Sequence, residues 1–184
     1  MRGGNVADSN ITKRALAEAL KELMEEKSFS KISVADICGK CNMNRKSFYY
    51  HFKDKYDLVN WIFDTEFISV MSRKAPPSFS TMDLIEALCI YFYKNRSFYR
   101  KTLSVQGQNS FSDHFHELLS AFFQSRLREQ TGADKVTDFQ VNSFSDAAVS
   151  AFQRWILDKS DMTPEDFMTQ ISICIHCIVN YEDF

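Results

Sequence analysis

The stretch "NRKSFYYHFKDK", residues 44–55, sets five basic or potentially basic side chains and two tyrosines beside two phenylalanines. At about 100° per residue, a helix here points Phe48 and Phe52 to one side and Lys46 and Tyr50 to the opposite side. Such a segment is either an ordinary amphipathic helix or a surface shaped to lie against something negatively charged.

The residues before this stretch favour a helix-turn-helix arrangement. Apolar residues recur at helical spacing through 10–27, which predicts a first helix capped by Asn10 or Ser9. Ser33 is placed to cap a short second helix, Asn44 to cap the third, and Asp54 to cap the helix that follows. Between them, Asn42 suits the left-handed conformation that a tight turn needs. The sequence therefore predicts a three-helix bundle whose third helix enters a major groove of DNA.

The outward side chains of the third helix carry the predicted DNA contacts. Arg45, at the tip of the helix, is the candidate to reach guanine, while hydroxyls and lysines suit phosphates. From residue 27 to residue 56 the chain has seven Lys or Arg and two Asp, although its net charge is −2. That asymmetry indicates an anionic partner at one end. The predicted set is Ser33, Asn44, Arg45, Lys46, Ser47, Tyr49, Tyr50, His51, Lys53 and Lys55.

The rest of the chain predicts a larger helical domain. Pro and Gly are scarce, at 3 and 5 of 184 residues, and no strand pattern is visible. The predicted fold class is all-α, with an N-terminal three-helix helix-turn-helix bundle plus a larger C-terminal helical effector and dimerisation domain. Helices are expected over 55–73, 81–95, 97–103, 111–130, 135–158 and 164–182. The predicted boundaries are a mobile tail over 1–9, a DNA-binding domain over 10–54 and the helical domain over 55–184.

Two functional surfaces are expected in this helical domain. A small effector would lie in an aromatic layer, with Phe67, Tyr91, Tyr99, Asn109 and Trp155 as candidates. The alternative is a fully packed core, with a partner protein as the regulator. The last two helices carry more apolar side chains than one internal face needs, which favours a homodimer. The predicted interface residues are Val141, Phe144, Ala148, Phe152, Phe167, Ile171, Ile175 and Ile178.

Other function classes have little support in the sequence. No apolar run approaches the roughly 18 residues that span a bilayer, and the N-terminus has no apolar h-region, so we expect a cytoplasmic protein with free thiols. The C-x-x-C pairs at 38–41 and 174–177 are far apart and sit at apolar helix positions, where buried thiols are common. No catalytic motif is visible, so we expect no enzyme, no cofactor and no metal. The competing reading is a helical interaction module whose basic end binds an acidic partner surface, under the control of a protein.

Residues 10–63 resemble the N-terminal domain of the TetR/AcrR family of bacterial transcriptional regulators. The likeness rests on "ISVADI", "SFYYHF" and "KYDL", which match the family's second-helix start, recognition helix and fourth-helix start. Two departures are the turn Cys-Asn-Met, where Ala-Gly-Val is usual, and Ser47, where Thr is usual. Through "YKNRSFYRKTLSVQGQNSF" and "RWILDKSDMTPEDF" the C-terminal half is similar to a Firmicutes branch that includes regulators of dihydroxyacetone kinase operons. The resemblance implies a homodimer that binds a double-stranded DNA operator and usually a small effector.

Overall fold

The computed structural model describes residues 4–74, 81–105, 110–132 and 135–179, and it places their side chains except at 4–8, 74, 81 and 175–179. Over these ranges the chain forms helices and turns and no strand, which confirms the predicted all-α class. The helices are α1 (Gly4–Glu26), α2 (Val34–Lys40), α3 (Arg45–His51), α4 (Lys55–Phe63), α5 (Ser69–Lys74), α6 (Thr81–Lys94), α7 (Arg96–Leu103), α8 (Phe111–Thr131), α9 (Asp138–Leu157) and α10 (Pro164–Val179). A 3-10 turn (Phe29–Lys31) joins α1 to α2, and a π-helical segment (Asp64–Ile68) joins α4 to α5.

Helix α1 begins earlier than the sequence indicates. Its backbone is helical from Gly4, so Ser9 and Asn10 lie inside the helix and do not cap it. The predicted start at residue 10 is therefore wrong, and of the expected tail only residues 1–3 lie outside the described residues. The first turns of α1 have few apolar side chains, and a periodic pattern cannot mark a helix without them.

Side-chain caps begin the short helices α2, α3 and α4, as the sequence predicts. Ser33 forms a capping box at the start of α2. Asn44 Oδ1 accepts from the backbone N–H of Ser47 at 2.8 Å, and Asp54 accepts from the first turn of α4. In the turn between α2 and α3, Asn42 has φ 54°, the left-handed region that Asn tolerates better than most residues.

Interlocked aromatic rings form the core of the second domain. Phe63 stacks against Phe67 and Phe92, with centroids 5.4 and 5.7 Å apart. Phe92 in turn meets Phe115 and Phe152 at 5.3 and 5.6 Å. These rings belong to the same buried cluster as the core of the N-terminal bundle. Helix α4 packs against both α1 and α8, so it is shared by the two predicted domains, and the boundary at residues 54–55 remains a prediction.

The helix that follows the N-terminal bundle contains a π-helical turn. The backbone N–H of Ser69 donates to the carbonyl of Asp64, five residues back, and that oxygen also accepts the Ser69 hydroxyl at 2.8 Å. One extra residue in a turn rotates the side chains that follow it. The expected continuous helix over 55–73 is confirmed in extent, but a period of 3.6 residues does not reveal this turn.

Three cations on α7 donate hydrogen bonds to the C-terminal ends of two other helices, α1 and α9. Lys101 donates to the last carbonyls of α1, at Met24 and Glu25. Arg96 donates to the carbonyls of Trp155 at 2.8 Å and Asp158 at 2.9 Å, at the end of α9, where Arg100 also donates. Carbonyls at a helix C-terminus have no partner within the helix and carry partial negative charge. Helix α7 therefore links the N-terminal bundle to α9.

Candidate nucleic-acid interface

The orientation of α3 is the one that the sequence predicts. Phe48 and Phe52 are 0% and 3% exposed, whereas Tyr49 and Tyr50 are 51% and 77% exposed. Burying two phenylalanine rings anchors one face of a seven-residue helix that would not be stable alone. The opposite face of α3 stays exposed to solvent.

Arg45 at the start of α3 is exposed but held in position. Its guanidinium carbon lies 5.9 Å from the centroid of the Tyr49 ring. A hydrogen bond with Tyr49 raises the pKa of Arg45, whose guanidinium is charged at any physiological pH. No acidic residue lies in the first turn of α3. The N-terminal end of this helix therefore presents positive charge at the position expected to reach a base.

An open groove of about 280 Å³ runs between α1 and α3, lined by Thr12, Asn44, Lys46, Ser47, Tyr50 and His51. Five of these residues belong to the predicted DNA-binding set. Thr12 was not predicted, because its place beside α3 depends on how α1 packs and leaves no trace in the local sequence. Cationic and hydroxyl groups around a groove of this size suit a phosphate of a nucleic-acid backbone.

Two hydroxyls of the predicted set serve helix caps. Ser33 Oγ donates to Asp36, and this hydrogen bond lowers the pKa of the Asp36 carboxyl. Ser47 Oγ donates to Asn44 Oδ1 at 3.2 Å. Either hydroxyl would have to give up this hydrogen bond before donating to a phosphate. Their DNA contact remains a prediction, whereas their capping role is visible in the structure.

His51 adds less positive charge than the sequence suggests. The ring is half-buried at the end of α3 and lies edge-on to Tyr50, with centroids 4.9 Å apart. Burial lowers the pKa of His51 below its ordinary 6.5, and the nearby charge of Lys13 lowers it further. The imidazole is therefore neutral at pH 7 in the free protein.

Lys55 does not fit the phosphate contact that the sequence predicts. Its ammonium donates to the carbonyls of Phe29 and Ile32, each at 2.7 Å, and to that of Ser30 at 3.3 Å. It also lies 4.6 Å from the centroid of the Phe29 ring. An ammonium has three donors, and here all three have acceptors inside the protein. Lys55 therefore ties the 3-10 turn to α4, whereas Lys53 is exposed.

The structure brings together some of the predicted effector residues. The Phe67 ring lies 5.3 Å from that of Tyr91, and the Tyr91 and Tyr99 hydroxyls are 2.8 Å apart. Burial raises the pKa of both tyrosines, which stay neutral. Trp155 instead stacks on Phe167, with centroids 4.4 Å apart, and Asn109 lies outside the described residues.

The rings of this aromatic layer are in mutual contact: the Tyr99 and Phe111 centroids lie 4.8 Å apart, and those of Phe92 and Phe115 lie 5.3 Å apart. The described part of the layer therefore resembles the packed core that was the alternative to an internal effector site.

Sequence reasoning missed two long-range side-chain contacts at the junction of the domains. Glu66 of the π segment pairs with Lys21 of α1 and accepts the Tyr91 hydroxyl at 3.2 Å. Asp64 Oδ1 of the same segment accepts a hydrogen bond from His114 Nε2 at 2.8 Å. These partners are about 45 and 50 positions apart in sequence, so only the fold brings them together.

Several residues of the predicted dimer interface face the interior of the single chain. Val141 and Phe152 of α9 and Phe167 of α10 are 6–7% exposed. Helix α9 packs against α7 and α8, and the Phe152 and Phe167 rings lie 5.3 Å apart inside the chain. Their assignment to the interface is corrected. Phe144 is 52% exposed, and Ala148 and Ile171 are half-buried. The side chains of Ile175 and Ile178 lie outside the described residues.

The remaining sequence features carry no site in the described part of the chain. Cys38 is buried, Cys41 is half-buried and Cys174 is exposed. Among the described residues no group of three or more His, Cys, Asp or Glu side chains is placed to hold a metal. None of the described helices is both long enough and apolar enough to cross a membrane.

Known proteins match the chain along nearly all of its length. Residues 13–62 match the family model for "Bacterial regulatory proteins, tetR family", and residues 80–177 match the TetR-type "Transcriptional regulator C-terminal region". A curated relative, the HTH-type dhaKLM operon transcriptional activator DhaS of Lactococcus lactis subsp. lactis (strain IL1403), is 26% identical over 154 residues, which are 82% of this chain and 81% of that protein.

Solved structures show the same fold. The TetR transcriptional regulator from Streptococcus agalactiae 2603V superposes with a TM-score of 0.67 at 23% identity, covering 92% of this chain and 96% of that one. The dihydroxyacetone kinase operon activator DhaS superposes with a TM-score of 0.63 at 19% identity, covering 94% and 99%. The C-terminal family model alone spans more than half of the chain. With its capped helix-turn-helix bundle and outward recognition helix, the protein belongs to the TetR family of bacterial transcriptional regulators.

Proposed function

We propose that this regulator binds a double-stranded DNA operator in the bacterial cytoplasm by laying α3 in the major groove. The observation that carries the proposal is the orientation of α3, which buries Phe48 and Phe52 and presents Arg45 and both tyrosines outward. Arg45 suits a bidentate contact to guanine. Exposed Lys46 and Lys53 suit phosphates, which set the position of the protein on the duplex.

The protein acts as a homodimer in this proposal. Apolar side chains left open on the single chain support it: Phe144 of α9 and Ile173 of α10 are 52% and 51% exposed. Phe144 pairs with Phe123 of α8, with ring centroids 5.7 Å apart, so the open apolar surface extends over more than one helix. A second copy would bury this surface and bring two α3 helices to successive major grooves, about 34 Å apart.

Regulation acts from outside the aromatic layer. The rings around Phe63 and Phe92 are in mutual contact, which supports a packed core over an internal ligand site. A small molecule or a partner protein would then act on the junction between the bundle and the body. The Lys21–Glu66 pair and the α7 cations that reach α1 and α9 would transmit such an event to α3.

The relative named as an activator of the dhaKLM operon supplies a first candidate target. We propose to test promoters of dihydroxyacetone kinase genes as operators, with a reporter to decide between activation and repression.

Selecting bound sequences from random duplexes tests the DNA-binding proposal without any assumption about the target. We expect a palindromic motif with two half-sites about one helical turn, or slightly more, apart. Recovery of no enriched sequence at low salt would contradict the proposal and favour a helical module that binds an acidic protein surface.

A further inference from the structure

An open groove lies between α1 and the helix made by α4, the π segment and α5. Its volume is about 520 Å³, and its lining includes Asn10, Arg14, Trp61, Ile68, Ser72 and Arg73. This volume falls in the range of sites that hold small molecules, which is roughly 300–1,000 Å³. The groove is distinct from the one that α1 forms with α3.

The charge of the groove is positive. Arg14 and Arg73 are its two charged lining residues, and no carboxylate of the described chain lines it. The two carboxylates of the adjacent π segment are turned to other partners, Asp64 to His114 and Glu66 to Lys21. On a chain with a net charge of −2, such a positive groove attracts anions.

The groove also offers apolar side chains, hydrogen-bond donors and a hydrogen-bond acceptor. Trp61 and Ile68 supply the apolar part. Arg73 Nε donates to the carbonyl of Ser69 at 2.9 Å, which holds the side chain along the helix and leaves its terminal nitrogens for a ligand. The Ser72 hydroxyl donates to the carbonyl of Ile68 at 2.9 Å, so its oxygen can accept from a ligand hydroxyl.

Helix geometry separates this groove from the DNA-binding face. Asn10 and Arg14 are four residues apart and share one face of α1. Thr12, which lines the groove beside α3, lies about 160° around the helix from both. The arginine groove therefore opens on the side of α1 that is turned away from α3.

We propose that this groove binds a small organic anion, a phosphate or carboxylate joined to a flat or hydroxylated part, and that the ligand regulates DNA binding. The part of this proposal that concerns regulation of DNA binding rests on the proposed function. Its physical basis is that the groove walls are α1, which belongs to the DNA-binding bundle, and the π segment, which Lys21 and Glu66 tie to α1. A ligand that bridges Arg14 and Arg73 favours one angle between these helices and shifts the population of α3 orientations.

Calorimetric titration with 1-naphthyl phosphate tests the site, since this probe joins a phosphate to a flat ring. We expect binding at millimolar concentration or below. 1-Naphthol, which lacks the phosphate, and inorganic phosphate, which lacks the ring, should each bind more weakly by about tenfold or more. Arg14→Gln and Arg73→Gln should each weaken the binding of the probe by about tenfold or more. Arg128→Gln, which replaces an exposed arginine of α8, should leave the binding of the probe unchanged. Absence of binding, or equal binding by the groove variants, would overturn the proposal.

Measuring the affinity of the protein for a selected duplex shows whether the groove binds the phosphate of a small ligand or a phosphate of DNA. We expect Arg14→Gln to bind the duplex like the unaltered protein, and the probe to shift the affinity of the unaltered protein but not that of Arg14→Gln. If Arg14→Gln weakens duplex binding as Lys46→Gln does, the groove takes a DNA phosphate and the small-ligand proposal is wrong. Probe binding without any shift in duplex affinity would overturn the part of the proposal that concerns regulation. Failure of the proposed function would instead appear as absence of duplex binding before any probe is added.

Discussion

Replacing Lys55 by methionine should destabilise the N-terminal bundle and leave its DNA contacts unchanged. Methionine keeps the length and apolar stem of the side chain but removes the ammonium that bridges Phe29 and Ile32 at 2.7 Å. Hydrogen bonds to a charged group contribute about 1.5–3 kcal/mol each when nothing replaces them. Lys55 is half-exposed, so water can donate to some of the carbonyls that lose the ammonium. We therefore expect a decrease of about 2 kcal/mol in the free energy of unfolding.

Urea denaturation followed by circular dichroism measures this loss. The midpoint should fall while the slope of the unfolding free energy against urea stays the same. Lys53→Met is the matched control, because Lys53 is an exposed lysine two residues away. Its stability should change by less than about 0.5 kcal/mol, but its DNA binding should lose about 0.9 from the slope of log affinity against log salt. An unchanged midpoint together with a reduced salt slope in Lys55→Met would refute the reasoning.

Three further changes test the bundle, the recognition helix and the dimer. Phe48→Ala should lower the free energy of unfolding by about 3–5 kcal/mol in the same denaturation assay, because the ring is fully buried; a cost below about 1 kcal/mol would mean that α3 is not anchored by it. Because burial lowers the pKa of His51 from 6.5, the unfolded chain takes up the proton more readily, and stability should fall as pH drops below about 6.5; His51→Gln should lose less stability between about pH 7 and pH 5, and an equal loss would contradict the buried neutral ring. Phe144→Glu should shift the dimer toward monomer in light scattering, whereas Ile11→Glu, a matched change at a 65% exposed apolar residue of α1, should not; an unchanged dimer would move the interface away from Phe144.

Local sequence signals predicted the N-terminal bundle well. Ser33, Asn44 and Asp54 all cap the helices assigned to them, and Asn42 takes the left-handed turn conformation. Each of these features depends on a side chain that bonds to backbone a few residues away, so it is readable from a short stretch. The exposed tyrosines of α3 were also predictable from a short stretch, because the burial of Phe48 and Phe52 decides which side of the helix faces solvent.

Features that depend on contacts between distant segments were not predictable. Lys55 looked like a phosphate contact because its three acceptors lie 23–26 residues earlier in the chain. The Glu66 pair with Lys21 and the π turn that positions it depend equally on how α4 packs. Val141 and Phe167 were assigned to a dimer because helical spacing shows an apolar face without showing what covers it.

A double-mutant comparison of protein and duplex tests the central claim, that Arg45 on α3 reads a base of the operator. Fluorescence anisotropy would compare the unaltered protein and Arg45→Ala on the selected duplex and on duplexes with one altered guanine pair in each half-site. The account predicts that Arg45→Ala loses about 1–3 kcal/mol on the selected duplex and no longer distinguishes it from one altered duplex. If Arg45→Ala binds the selected duplex as tightly as the unaltered protein and discriminates equally well, α3 is not the reading helix in the orientation described.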